Sequence, residues 1–218
     1  EHAEVLLAEG LDRAARGAAR VTVIPFILNA AGHVKMELPA ALEAARGRHP
    51  GVSFAVTRHL GMGREILAVL QGQLDRLMKS LAMPDPQTTG VILLGRGSSD
   101  AGANGELGKM ARWIFEDNDH ELVDLAFTSI TWPRLETVVQ RQVRLGMTQI
   151  CIVPVYLFTG VLIERIKGQV ERLLHGGREG LERLDGEVGP EERPRLGPDR
   201  LLERPGEPRD GDDRGHAG

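Results

Sequence analysis

Apolar positions along the chain switch repeatedly between two patterns, the short continuous run of a buried strand and the three-to-four-residue spacing of an amphipathic helix. Leu7, Leu11, Ala14 and Ala15 recur at helical spacing up to Gly17, which predicts a helix over residues 3–17. Residues 21–28 are a Val-, Ile- and Phe-rich run ended by Asn29-Ala30-Ala31-Gly32, the pattern of a buried strand. Val34, Leu38, Ala41, Leu42 and Ala45 then predict a helix over residues 33–48, stopped by His49-Pro50-Gly51. Residues 52–57 alternate as a short strand. Leu60-Gly61-Met62-Gly63 turns into a further helix, with Ile66, Leu67, Leu70, Leu74 and Leu77 apolar, that runs to about residue 82.

Residues 83–89, polar and interrupted by Pro84 and Pro86, read as a linker, after which the alternation restarts. Residues 91–94 predict a strand, 95–100 a glycine-rich turn, and Leu107, Met110, Ala111 and Ile114 a helix. Residues 122–128 are strand-like. Trp132-Pro133 is expected to open a helix with proline in its first turn, carrying Leu135, Val138, Val139 and Val143 and ending at Gly146. Residues 149–158 form the most apolar strand. Gly160 leads into a helix bearing Ile163, Ile166, Val170 and Leu173. Strands alternating with helices in this way predict an α/β fold with parallel sheets covered on both faces.

The chain also repeats itself. Pro25-Phe26-Ile27-Leu28 aligns with Pro154-Val155-Tyr156-Leu157, each after an apolar run and before a turn containing Gly32 or Gly160. Gly17 and Gly146 precede the two runs in the same way. Two related α/β units are therefore expected, over residues 1–82 and 90–175, joined by the linker 83–89. The second unit opens with a strand, helix and strand for which the first has no counterpart, so the first unit is expected to be truncated at its start. With Ala31 as a one-residue gap, His33 aligns with Val161. A packing histidine should survive in both copies, whereas a reactive one need be kept once, and that asymmetry singles out His33 at a strand-to-helix junction, where ligands of parallel sheets bind.

Composition narrows the function. The net charge of −4 and the lack of a Lys/Arg block give no case for nucleic acid. No apolar run approaches the roughly 20 residues of a membrane helix, and residues 1–4 do not resemble a secretion signal. The lone Cys151 sits in an apolar run, excluding an intramolecular disulfide or a thiolate-rich zinc site and fitting a reducing cytoplasm. Residues 176–218 lack aromatic residues and lysine, are rich in Gly, Pro and Arg, and are expected to be disordered.

PFILNAAGHVKMELP, followed by RHLGMG, LLGRGSSDAGANGEL, TWPRL and VPVYLFTGVLIERI, resembles the sirohydrochlorin cobaltochelatases, class II tetrapyrrole chelatases of the long, two-unit form. The resemblance runs from residue 1 to about residue 175. It implies two flavodoxin-like units facing across a cleft and insertion of a divalent metal into sirohydrochlorin, an acidic tetrapyrrole, without ATP. The metal is a co-substrate rather than a tightly bound cofactor; Co²⁺ is expected, with Ni²⁺ and Fe²⁺ suited to the same ligands. The family's metal site uses two histidines. Gly32-His33 matches the second; the first belongs to the opening segment, and its counterpart in the second unit is Gly95-Arg96-Gly97-Ser98, with arginine in place of histidine.

Metal insertion requires stripping water from a cation and removing two pyrrole protons, and a neutral imidazole suits both tasks. His33 is thus the expected metal ligand and proton acceptor. Glu37, one helical turn on, is either an assisting carboxylate or a solvated acid at a helix start. Lys35, Arg96 and Arg165 are candidate contacts for substrate carboxylates, and the helix start after Ser98 is a further one. Two alternatives stand beside this reading. One is a protein of the same fold that binds tetrapyrrole or metal without catalysis. The other is a nucleotide-binding module using the 95–99 turn, which lacks both the Walker ending and the GxGxxG spacing. Loss of a central first strand would expose an apolar edge, so a chain that is unstable alone or self-associates is expected.

Overall fold

The computed structural model describes residues 5–158 and 160–180, excluding the side chains of His33, Val34, Leu162 and residues 174–180. The elements in order are α1 (Leu7–Ala15), β1 (Arg20–Val23), a π-helical turn (His33–Glu37) running into α2 (Leu38–Arg48), β2 (Ser53–Val56), α3 (Arg64–Ser80), β3 (Thr89–Gly95), α4 (Ala101–Asp117), β4 (Val123–Phe127), α5 (Leu135–Arg144), β5 (Gln149–Pro154) and α6 (Val161–Gly180). β1 pairs with β2 in one sheet, and β3 lies between β4 and β5 in the other. All pairing is parallel, with Val91 opposite both Val123 and Cys151. These are the two parallel-sheet α/β units that the hydrophobic pattern predicts.

β3 shows why a continuous apolar run reads as a buried strand. Val91, Ile92, Leu93 and Leu94 are all fully buried because both faces of this middle strand are covered. Val91 and Leu93 point to one layer, with Leu107, Met110 and Ile114 of α4. Ile92 and Leu94 point to the other, with Leu135 and Val138 of α5 and Ile166 of α6. The first sheet has a smaller core, in which Leu11, Ala15, Leu38, Leu42 and Ala45 close over Val21 and Phe54.

α3 crosses the boundary expected between the units. It precedes the linker, yet its buried stripe of Leu67, Leu70 and Leu74 packs into the cluster on the second sheet, against α4 and β5. Each such leucine contributes about 1.5–3 kcal/mol by leaving water. At the seam Arg64 lies over the Trp113 ring, 4.4 Å from its centroid. By packing, α3 therefore belongs to the core of the second sheet, while the first sheet keeps its own.

Four boundaries differ from the sequence expectation. The runs 21–28 and 149–158 leave their sheets at Val23 and Pro154. Pro25 carries no N–H, so the β1 ladder stops there, whereas β5 gives one more bond past Pro154, Val155 N to Leu94 O (2.9 Å), before the chain leaves the sheet. Beyond β1 the backbone is held instead by the 57–61 loop, Leu60 N donating to Pro25 O (3.2 Å) and Gly61 N to Ile27 O (3.3 Å). Pro133 does not occupy the first turn of α5. Phe127 N donates to Pro133 O (2.8 Å) and Arg134 bridges to Phe127, so 133–134 run extended beside β4 and the helix begins at Leu135. α6 continues through Gly180, past the boundary set at residue 175; the expectation of disorder for the rest of the tail falls outside the described residues.

Candidate functional site

The carboxyl ends of both sheets open on one cavity of about 600 Å³. Its lining comes from both units. The extension after β1 supplies Phe26, Ile27, Leu28 and Asn29, the approach to the π turn supplies Ala31 and Gly32, and the turn's last residue is Glu37, also on the wall. The second unit supplies Gly95 and the 96–99 loop, Asn104 and Leu107 of α4, Phe127, Ile130, and the extension 155–158. The two proline-ended strands thus deliver their repeat-related extensions to the same space. This is where a parallel sheet places ligands, because the loops leaving its carboxyl ends are free of pairing duties.

His33 opens the π turn, and its neighbours Gly32 and Glu37 are on the cavity wall. Its side chain is outside the described residues. A π turn takes up one extra residue without ending the helix. The first copy is one residue longer than the second just ahead of this point, and α6, the matching helix of the second unit, has no such turn. The extra residue and the histidine that distinguishes the first copy therefore occur together.

The 95–100 loop is built by its own side chains. Asn104 bridges it, Oδ1 accepting from Ser98 N (2.9 Å) and Nδ2 donating to Ser98 O (2.8 Å). Ser98 Oγ accepts from Asp100 N (3.0 Å). Asp100 caps α4, its Oδ1 accepting from Gly102 N (2.9 Å) and Ala103 N (3.2 Å). Ser129 holds the Arg96 carbonyl from across the sheet end with both its N–H (3.0 Å) and its hydroxyl (3.1 Å). Gly97 has φ +90°, and a Cβ there would stand 2.3 Å from Ser129 O, so only glycine fits. Ile130, a β-branched residue at φ 67°, carries backbone strain on the cavity wall.

Of the residues singled out by sequence, Glu37, Arg96 and Ser98 line the cavity. Lys35 is beside it, ion-paired with Asp100. Arg165 is on the exposed side of α6 and is not among the lining residues, because the helix turns Ile163, Ile166 and Val170 onto the sheet. His120 serves the fold: it is buried at the amino end of the sheet, its Nδ1 donating to Thr89 O (2.8 Å). Sequence reasoning passed over Phe26, Asn104, Ile130, Tyr156 and Phe158. The signal for Asn104 was its place in the GSSDAGAN turn. Phe26 and Phe158 were absorbed into strand patterns that end before them.

Arg96 and Tyr156 set the charge on the second-unit side. Burial pushes the Tyr156 phenol above its ordinary pKa, against the opposing hydrogen bond to Thr128 (3.2 Å) and the attraction of the Arg96 charge. The phenol is therefore a neutral hydrogen-bonding group at neutral pH. Among the described residues no group of three or more His, Cys, Asp or Glu side chains converges as a metal cage. The cavity thus offers an apolar floor, a cationic rim at Arg96, and a carboxylate, Glu37, beside the histidine-bearing turn.

Comparison with known proteins gives a consistent result. The family model described as CbiX matches residues 1–77 and 90–198. The chain is 38% identical to a sirohydrochlorin cobaltochelatase of Priestia megaterium over 76% of this chain and 54% of that protein. It is 25% identical to a sirohydrochlorin ferrochelatase of the same organism over 72% of this chain and 58% of that one. It therefore spans little more than half the length of these relatives. Among solved structures, SirB from Bacillus subtilis with Fe³⁺ superposes with a TM-score of 0.64 at 27% identity, covering 79% of this chain and 67% of that one.

Proposed function

The chain belongs to the CbiX family, and from that premise we propose that it acts as a sirohydrochlorin chelatase, inserting a divalent metal ion into the tetrapyrrole on a route to cobalamin or sirohaem. The observation that carries this reading is the cavity lined by both related units, with Gly32 and Glu37, which bracket His33 in sequence, on its wall. His33 binds the incoming metal and accepts a pyrrole proton. Few protein ligands suit a metal that must leave, since a closed cage would retain it. Glu37 assists as a carboxylate beside that imidazole or relays the released proton. Arg96 and the loop around Ser98 receive peripheral carboxylates of the substrate, and Lys35 does so by exchanging its partner Asp100 for a substrate carboxylate. The higher identity to the cobaltochelatase favours Co²⁺ as the metal.

The test is metal insertion followed by absorbance, with anaerobic sirohydrochlorin and Co²⁺, Fe²⁺ or Ni²⁺ offered separately. Co²⁺ is expected to react fastest. His33→Ala is expected to lower the rate by about 10²–10³-fold, the range of a lost acid–base group. Full activity in that variant would remove His33 from the reaction. A second reading is kept alive by Arg96, which stands where the family motif has histidine. In that reading the protein holds tetrapyrrole or metal without catalysis, and the same assay would give tight sirohydrochlorin binding with no metal incorporated.

A further inference from the structure

Phe26 and Phe158 meet at the cavity with most of their ring surface in water, 57% and 69% exposed. Their centroids are 6.0 Å apart and their planes tilted by 51°. One ring follows β1 and the other follows β5, so the contact crosses from one unit to the other. Both residues line the cavity, and neither belongs to a core cluster of the fold. Two exposed aromatic rings brought together from distant parts of the chain form an apolar patch at a concave site, the kind of surface that a ligand covers.

We propose that Phe26 and Phe158 form an aromatic platform on which the flat, conjugated face of the tetrapyrrole lies during metal insertion. This rests on the chelatase reading above and adds the residues that orient the ring. At 6.0 Å and tilted, the rings leave no slot between them, so the macrocycle lies across the pair rather than between its members. Offset stacking and edge-to-face contact both suit such a surface. Charge fits the same occupant: Arg96 is on the wall of this cavity and meets a carboxylate at the macrocycle's edge while the apolar face rests on the rings. A flat polyanion with an apolar face satisfies both features at once.

The experiment titrates metal-free sirohydrochlorin into the full chain and into Phe26→Leu, Phe158→Leu, the double variant and Phe26→Tyr, following the shift in the ligand's absorbance. Each leucine variant is expected to bind about five- to ten-fold more weakly, the double variant more weakly still, and Phe26→Tyr like the parent. Because both rings are exposed, thermal melting of every variant is expected to stay near the parent's, which separates lost stacking from lost folding. Binding by the parent with unchanged affinity in the double variant overturns the platform and leaves the chelatase reading standing. A parent chain that does not bind sirohydrochlorin at all overturns that reading, and the platform with it. A change in sedimentation of the leucine variants without a change in affinity assigns the rings to contact between copies of the chain and also overturns the platform.

Discussion

Lys35 Nζ donates to the carboxylate of Asp100, joining the π turn of the first unit to the cap of α4 in the second. The pair crosses beside the cavity, and Asp100 holds two roles at once, as ion-pair partner and as helix cap. Its carboxyl is drawn below the usual carboxylate pKa, first by the Lys35 hydrogen bond and then by the Ala103 N–H.

The two roles separate by substitution. Asn keeps the capping oxygen and loses the charge, whereas Ala loses both. Lys35 is 53% exposed, so the ion pair itself is screened and contributes at most about 1 kcal/mol. Asp100→Ala is expected to cost about 1–2 kcal/mol and Asp100→Asn less than half of that, measured by urea unfolding. Because the folded-state pKa is lowered, the contribution is full above the ordinary value of 3.8 and fades as pH falls through the lower folded value. The difference between parent and Asp100→Asn should therefore be constant from pH 7 to about pH 5 and shrink below about pH 4.

Gly97 gives a sharper test of the loop. A methyl group there meets the Ser129 carbonyl at 2.3 Å, and the φ of +90° is itself unfavourable for any other residue. Gly97→Ala is expected to destabilise the chain by about 2 kcal/mol or more and to displace Arg96, raising the KM for sirohydrochlorin. A variant with parent-like stability and KM would mean that the loop relaxes without moving the cavity wall.

Much of this loop was legible in the sequence as a glycine-rich turn; β1, β3 and β5 were legible as parts of continuous apolar runs, and β2 by its alternation. The run 149–158 carried no mark of where pairing stops except Pro154, and while Val155 and Tyr156 still pack on core clusters, Leu157 and Phe158 line the cavity and belong to none. The same confusion hid Phe26 and Phe158. The placement of α3 was equally hidden: its leucine stripe at 67, 70 and 74 predicts a buried face but does not say which sheet receives it. His33 stood out only by comparing the two copies of the repeat, a comparison that local propensity does not make.

That placement of α3 makes the core of the second sheet depend on residues that precede the linker. Leu74 is almost fully buried in the cluster on the second sheet, although it lies before the linker. Leu74→Ala is expected to cost about 3 kcal/mol, within the range for a buried leucine that leaves a cavity. Denaturation followed separately by the fluorescence of Trp113 and Trp132 and by far-UV circular dichroism should give one coincident transition shifted to lower urea. Two separated transitions would show that the first unit melts independently of the core that α3 shares.

Tyr156 is the chain's single tyrosine, so its ionisation can be read directly from phenolate absorbance. Burial holds its pKa above the ordinary 10, while the Thr128 hydrogen bond and the Arg96 charge pull it down. Removing the cation must therefore move the titration further up. Arg96→Leu is expected to shift the phenolate curve to more alkaline pH, and Arg96→Lys to leave it near the parent's. For folding, a phenol whose folded pKa is raised stabilises the chain fully below the unfolded value, and that contribution is lost as pH climbs above about 10. The same two variants test the proposed substrate contact. Losing a charge-assisted contact to a carboxylate should raise the KM for sirohydrochlorin about ten-fold in Arg96→Leu with kcat little changed, since a rim charge binds ground state and transition state alike. Arg96→Lys should recover part of it, keeping the charge without the planar fork. An unchanged KM in Arg96→Leu alongside a shifted Tyr156 titration would place the Arg96 charge at the phenol and away from the substrate.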